Sequence, residues 1–172
     1  MAANELVPPI VVCDAGPLIH LDEVGSVELL VDFSQVLVPP AVWEEVTKHR
    51  QNALIHSAVR FHKVAPTGIL SAELDVLSRL LGLHRGEQEA LQVAQAHPGC
   101  LLLTDDTAAR LAARNLGLVA HGTIGVLLRA IRRNQKTKDE VVTLLRSLPT
   151  ASTLHVRPSL LENIIREVEQ FH

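Results

Sequence analysis

Short apolar runs and helical stripes alternate along this chain. Ile10–Cys13 is a β-branched run that stops at Asp14-Ala15-Gly16-Pro17, the mark of a buried strand with a sharp exit. Pro17 suits the first position of a helix carrying Leu18, Ile19 and Leu21. Gly25 interrupts, and residues 27–33 resume a helical pattern. Val36-Leu37-Val38 ends at Pro39-Pro40 and predicts a second strand, followed by a helix over residues 41–50. Residues 61–65 form a third short strand. Ser71 caps a helix carrying Leu74, Leu77, Leu80 and Leu81, and Gly82 and Gly86 separate it from a helix over 87–97. Residues 100–103 are an apolar strand that ends at Thr104-Asp105-Asp106. The helix over Thr107–Asn115 carries Ala108, Leu111, Ala112 and Leu116 at offsets 0, 3, 4 and 8. A strand over 117–120 and helices over 124–133, 138–148 and 158–171 complete the chain. Strands alternating with helices predict an α/β fold, a three-layer α/β/α sandwich on a mostly parallel sheet. Ligands of such sheets gather at the carboxyl ends of the strands.

The acids collect there. Asp14 directly follows the first strand, where an Asp also serves as a helix cap. Val42, Glu45 and Val46 share one helix face, so Glu45 lies along the buried stripe. Its neighbour Glu44 stands four before Lys48, the order of a surface ion pair. Glu87 shares a face with Ala90, Leu91 and Ala94. A carboxylate on an apolar face needs a reason, because burying it unpaired costs several kcal/mol or shifts its pKa. The helix dipole and Arg85 are the structural reasons available. Glu89 lies off this face and reads as solvated. One of Asp105 and Asp106 caps the next helix; Asp106 also stands four before Arg110. Which of the two faces the other acids stays open.

Four carboxylates from four elements thus approach one sheet edge. Like charges so placed repel and raise one another's pKa unless a cation intervenes. Oxygen-only ligands select a hard divalent ion, Mg²⁺ or Mn²⁺. No Cys/His cluster competes: His49, His56, His62, His84 and His97 lack paired ligand spacing and read as surface residues.

Composition narrows the field. With 172 residues, 47% apolar and 20% charged, the chain is one globular domain and not a disordered one. Aromatics are 2%, so the core is aliphatic and an aromatic base-stacking platform is excluded. The net charge of −3 means that polyanion binding must come from a local patch. No apolar run reaches the roughly 20 residues of a membrane span. The opening MAANELVPP has no basic stretch and is not expected to be a secretory leader. Cys13 and Cys100 sit in apolar runs and read as reduced, buried thiols of a cytoplasmic protein.

Over residues 10–133 the chain resembles the PIN-domain ribonucleases, near the branch of toxins of toxin–antitoxin pairs. The resemblance rests on IVVCDAGPLIHL, VPPAVWEEV, GLHRGEQEALQVA, LLLTDDTAARLAARNLGL and HGTIGVLLRAI. It implies a metal-dependent hydrolase of RNA phosphodiester bonds, with Mg²⁺ or Mn²⁺ as cofactor and a cognate antitoxin as partner. The family acids match Asp14, Glu45, Glu87 and the TDD stretch. There the Thr-x-Asp form favours Asp106 and the Asp-Asp-x-x-Ala-Arg form Asp105, the preferred match. The implied catalytic set is Asp14, Glu45, Glu87 and Asp105, and the implied metal ligands are Asp14, Glu87, Asp105 and Asp106. Many relatives carry Ser or Thr just after the first Asp, where Ala15 and Gly16 stand here. Thr123 in HGTIG is the candidate replacement, or an ordinary helix cap.

The basic run Arg129, Arg132, Arg133, Lys136 and Lys138 either grips RNA or is a solvated helix end. Thr123, Arg129, Arg132 and Arg133 are the expected RNA-binding set. Residues 1–150 are expected to form the nuclease unit. Residues 151–172 form a helical extension whose Leu160, Leu161, Ile164, Ile165 and Val168 pack on it or on a second subunit, with a homodimer expected. The competing reading is a non-catalytic PIN-like or receiver-like module. A receiver would carry paired acids after the first strand, where Asp14 stands alone.

Overall fold

The computed structural model describes residues 9–170; the opening segment and Phe171 lie outside them. Five strands form one all-parallel sheet: β1 (Ile10–Cys13), β2 (Gln35–Val38), β3 (Phe61–Lys63), β4 (Leu101–Leu103) and β5 (Val119–His121). Their spatial order is β3-β2-β1-β4-β5. The chain builds outward from β1 through β2 to β3, then returns to lay β4 on the other side of β1. Strand order therefore reverses between β1 and β4, where such sheets open a crevice at their carboxyl edge.

The helices are α1 (Ala15–Glu23), α2 (Pro40–His49), α3 (Ala72–Leu81), α4 (Arg85–Gln95), α5 (Thr107–Asn115), α6 (Thr123–Arg132), α7 (Lys138–Ala151) and α8 (Pro158–Gln170). Side-chain alternation along the strands sorts them into two cores. Val11, Cys13, Val36, Val38 and Leu103 face one core with α1, α2, α6, α7 and α8. Val12, Leu37 and Leu102 face the other with α3, α4 and α5. The three-layer α/β/α sandwich follows directly. Leu161 and Val168 of α8 are buried in the first core, and the linker residues Leu154 and Val156 pack against it.

Local signals set most boundaries. Pro40 opens α2 at a position that needs no N–H. Ser71 accepts the Leu74 N–H at 3.2 Å and starts α3, which Gly82 ends in the left-handed region at φ 65°. Thr137 and Glu140 form a reciprocal cap on α7.

Several expectations shift. Pro17 is the third residue of α1, not the first, because Asp14 caps the helix. Residues Val27–Asp32 are a 3-10 segment. Helix α7 runs past Leu148 and takes Pro149 into its last turn. In α3 Leu80 is 76% exposed and Leu74 carries the contact. In α5 the buried stripe is Ala109, Ala112 and Ala113, one position round from the expected one, and Leu111 faces solvent. Small alanines seat that helix close to the sheet, which bulkier Leu111 would prevent.

Candidate active site

The register Cys13↔Leu103 brings the residues that follow β1 and β4 side by side at the switch point. The Asp14 amide donates to the Leu103 carbonyl at 2.8 Å, and the Thr104 amide to His121 at 2.9 Å, so the ladder runs one step past the strands. Around this edge lies a cleft of about 360 Å³ lined by Asp14, Glu45, Glu87, Asp105 and Asp106.

Asp14 is the most enclosed of the five, at 7% exposure. Its Oδ1 accepts the Ala15 N–H at 2.8 Å, the cap of α1, and its Oδ2 accepts the Thr104 hydroxyl at 2.8 Å. No Lys or Arg pairs with it. Burial raises its pKa to about 6, more than the two hydrogen bonds lower it, and the charges of Glu87 and Glu45 add to the rise. Capping and functional placement thus coincide in one side chain. Thr104 went unremarked at the sequence level. It is fully buried, and its oxygen also accepts the Asp106 N–H at 3.2 Å, so one hydroxyl sets the positions of two acids.

Glu87 is the third residue of α4, with Ala90, Leu91 and Ala94 buried below it. Its Oε2 accepts the His84 N–H at 2.7 Å. Burial raises its pKa, the His84 hydrogen bond opposes this, and Asp106 and Glu45 push further upward. Arg85 does not serve it. That arginine reaches Glu89 at 2.8 Å, and Glu89 is not solvated. Its carboxylate is 14% exposed and accepts the Ala41 N–H at 2.8 Å, tying the start of α2 to α4.

Glu45 is exposed at the cleft mouth instead of lying in the buried stripe with Val42 and Val46. No ion pair joins Glu44 to Lys48. Gly86 of α4 stands against α2 here. A Cβ on it would stand 3.6 Å from Glu45 Oε2, 3.4 Å from Val42 and 4.0 Å from Asp14 Oδ1.

The TDD stretch divides its labour. Asp106 caps α5 through the Ala109 N–H at 2.7 Å, does not pair with Arg110, and stands among the acids that perturb Glu87. Asp105 is held from the other side. Its Oδ1 accepts the Thr123 N–H at 2.8 Å, and its Oδ2 takes the Thr123 hydroxyl at 2.6 Å and His20 Nδ1 at 2.8 Å. His20 is the other residue missed at the sequence level. It lies one turn beyond Gly16, whose Cβ would stand 3.5 Å from its ring and 3.6 Å from Asp105.

Of the expected RNA-binding residues, Thr123 stands behind Asp105 at the cleft and the arginines of α6 do not line it. Thr123 is fully buried and its hydroxyl is spent on Asp105. Arg129 and Arg133 both bind Asp32, at 2.5 and 2.8 Å, and Arg129 also stacks 5.0 Å over Phe33. Lys136 pairs with Glu28 at 3.2 Å. Arg132 borders two surface hollows that the acids do not reach. The basic run mostly staples α6 to the 3-10 segment.

Among the described residues no three His, Cys, Asp or Glu side chains are drawn together as a ready metal cluster. The donor chemistry nevertheless fits a hard divalent cation. Asp14, Glu45, Glu87 and Asp106 are oxygen donors without a Lys or Arg partner, and repulsion among them is felt in the raised pKa values. Both cysteines are free and buried, and burial pushes the Cys13 thiol well up. No helix among the described residues is long and apolar enough to cross a membrane.

No curated protein matches the chain in sequence. In structure it is similar to a PilT N-terminus domain protein, SSO1118, from the hyperthermophilic archaeon Sulfolobus solfataricus P2. The TM-score is 0.47 at 17% identity, over 71% of this chain and 93% of that one. A PIN-domain family model matches residues 10–170, from the first strand to the end of the last helix, and the chain therefore belongs to the PIN domain family.

Proposed function

We propose that the protein is a metal-dependent endoribonuclease that hydrolyses RNA phosphodiester bonds, and that it acts in the cytoplasm as the toxin of a toxin–antitoxin pair. One observation carries the reading. Asp14, Glu45, Glu87 and Asp106 come from four elements, face one cleft at the sheet's switch point, and lack a Lys or Arg partner. Three of these acids also cap a helix, but capping does not require them to converge, and the convergence of four carboxylates costs stability.

Asp14, Glu87 and Asp106 would hold Mg²⁺ or Mn²⁺, with Asp105 at the margin. When bound, the ion polarises the phosphoryl oxygen and eases the deprotonation of water. The chain supplies the rest. Thr104 and the Ala15 amide fix both oxygens of Asp14, so its rotamer is set before substrate arrives. The His84 amide holds one oxygen of Glu87 and leaves the other for the cleft. Glu45, exposed and without a hydrogen bond, is the carboxylate free to take a proton from water.

The test is cleavage of a mixed single-stranded RNA pool with Mg²⁺ or Mn²⁺ and with EDTA. Cleavage is expected with either ion, and EDTA, Asp14→Asn and Glu87→Gln each abolish it. Full activity in Asp14→Asn, or cleavage in EDTA, overturns the assignment. For the toxin role, induced expression is expected to arrest growth of a bacterial host and Asp14→Asn to relieve the arrest.

A further inference from the structure

Beside the acidic cleft lies a second hollow of about 460 Å³, within the range of ligand pockets. The two share Asp105, Leu154 and His155, so they are compartments of one groove divided by the segment between α7 and α8. The chemistry of the second is opposite to the first. Arg110 of α5, His121 at the end of β5, and His155 and Arg157 from the segment before α8 line it. Arg110 and Arg157 are exposed, and among the described residues neither guanidinium pairs with a carboxylate. Arg110 was expected to pair with Asp106, but Asp106 turns instead to the helix N-terminus. The Arg110 guanidinium stands beside Gly122, 3.5 Å from where a Cβ would be. Burial lowers the His121 pKa, and the charges of Arg110, Arg132 and Arg129 lower it further.

The segment carrying Arg157 is fixed, not loose. Glu23 at the end of α1 accepts the Ser152 hydroxyl at 2.8 Å and the Thr153 amide at 2.7 Å. Arg157 therefore lines the hollow from a segment braced at its start, and Arg110 lines it from α5. The chain is acidic overall; Arg129, Arg133 and Lys136 are consumed by Asp32 and Glu28, and Arg132 borders hollows that the acids do not reach. Two unpaired arginines next to the acids are then the local patch that a polyanion requires.

We infer that this hollow is the backbone-binding subsite for single-stranded RNA, with Arg110 and Arg157 gripping phosphates adjacent to the one placed in the acidic cleft. The inference rests on the ribonuclease reading and adds where the strand runs. The hollow offers apolar Ile124, Val156 and Leu160 but no Phe, Tyr or Trp, so the grip is on the backbone and tolerates sequence.

Binding of a fluorescent single-stranded RNA oligonucleotide is measured by anisotropy in EDTA across a salt series, alongside Mg²⁺-dependent cleavage. Each phosphate contact on a single strand contributes a slope of about −0.7 to log K against log salt. The double variant R110Q/R157Q is expected to lose about 1.4 from that slope, and about 25-fold in affinity at 0.1 M salt. R110K/R157K keeps the charges and is expected to keep the slope, and Arg60→Gln, beyond the opposite edge of the sheet, changes nothing. An unchanged slope in R110Q/R157Q, or wild-type protein that does not bind RNA, overturns the subsite. If wild-type protein binds with the arginine-dependent slope yet cleaves no RNA, the subsite stands and the nuclease reading falls.

Discussion

Replacing Asp14 by Asn should stabilise the metal-free protein at neutral pH and fail to do so in acid. The folded-state pKa of about 6 lies above the ordinary value of 3.8. Between those values the native state holds a proton that the unfolded chain has released. The contribution of Asp14 to stability is therefore greatest below pH 4, falls as pH rises through about 6, and stays reduced above. The shift of roughly two units corresponds to about 3 kcal/mol of lost stability at pH 7.5. Asn carries no charge and recovers that amount. It keeps an oxygen for the Ala15 N–H but deprives the Thr104 hydroxyl of its acceptor, at about 1 kcal/mol. The net gain is about 2 kcal/mol at pH 7.5, or about 4–8 °C in Tm for a domain of this size. At pH 4 the gain disappears and the lost hydrogen bond leaves Asn slightly the less stable. Thermal unfolding in EDTA at pH 4, 5, 6, 7 and 7.5, followed by circular dichroism, measures the difference. A gain that is the same at every pH would refute the argument, because it would arise from packing and not from a buried charge. A loss at pH 7.5 would show that Asp14 is not electrostatically strained.

Mg²⁺ or Mn²⁺ should raise the Tm of the wild type at pH 7.5, with about 2.7 kcal/mol of added stability at 100 times Kd, and the rise should shrink sharply in Asp14→Asn; an equal rise in both places the ion elsewhere. Glu45→Gln should lose RNA cleavage while Glu44→Gln, on the solvent side of α2, stays near wild type in both cleavage and Tm; an essential Glu44 would mean that α2 presents a different face to the cleft. Gly122→Ala should cost about 1–3 kcal/mol in urea unfolding, because its Cβ would lie 2.4 Å from Asp105 Oδ1 and must drive that carboxylate off Thr123; a neutral substitution would show that the Asp105 clamp is dispensable.

The elements were legible because they are written in short-range patterns. A β-branched run before Asp14, a Pro pair before α2 and a Ser cap on α3 each act within a few residues, and the structure keeps all three. Helical phase likewise singled out Glu87 over Glu89 for the cleft. What phase could not supply was the partner across space. Glu89 reads as solvated in sequence and caps a helix 48 residues away. Arg129 and Arg133 read as either an RNA grip or a solvated helix end, and both pair with Asp32, 97 and 101 residues earlier. Asp105 differs from Asp106 in its contacts with Thr123 and His20, which arrive from 18 and 85 residues off in the chain. The alternation of apolar and polar residues determined which segments are strands and helices and that the sheet is covered on both faces. Only the tertiary structure decided that β4 lies beside β1, and so that the acids meet, because strand order follows from which buried faces fit together and not from any local signal.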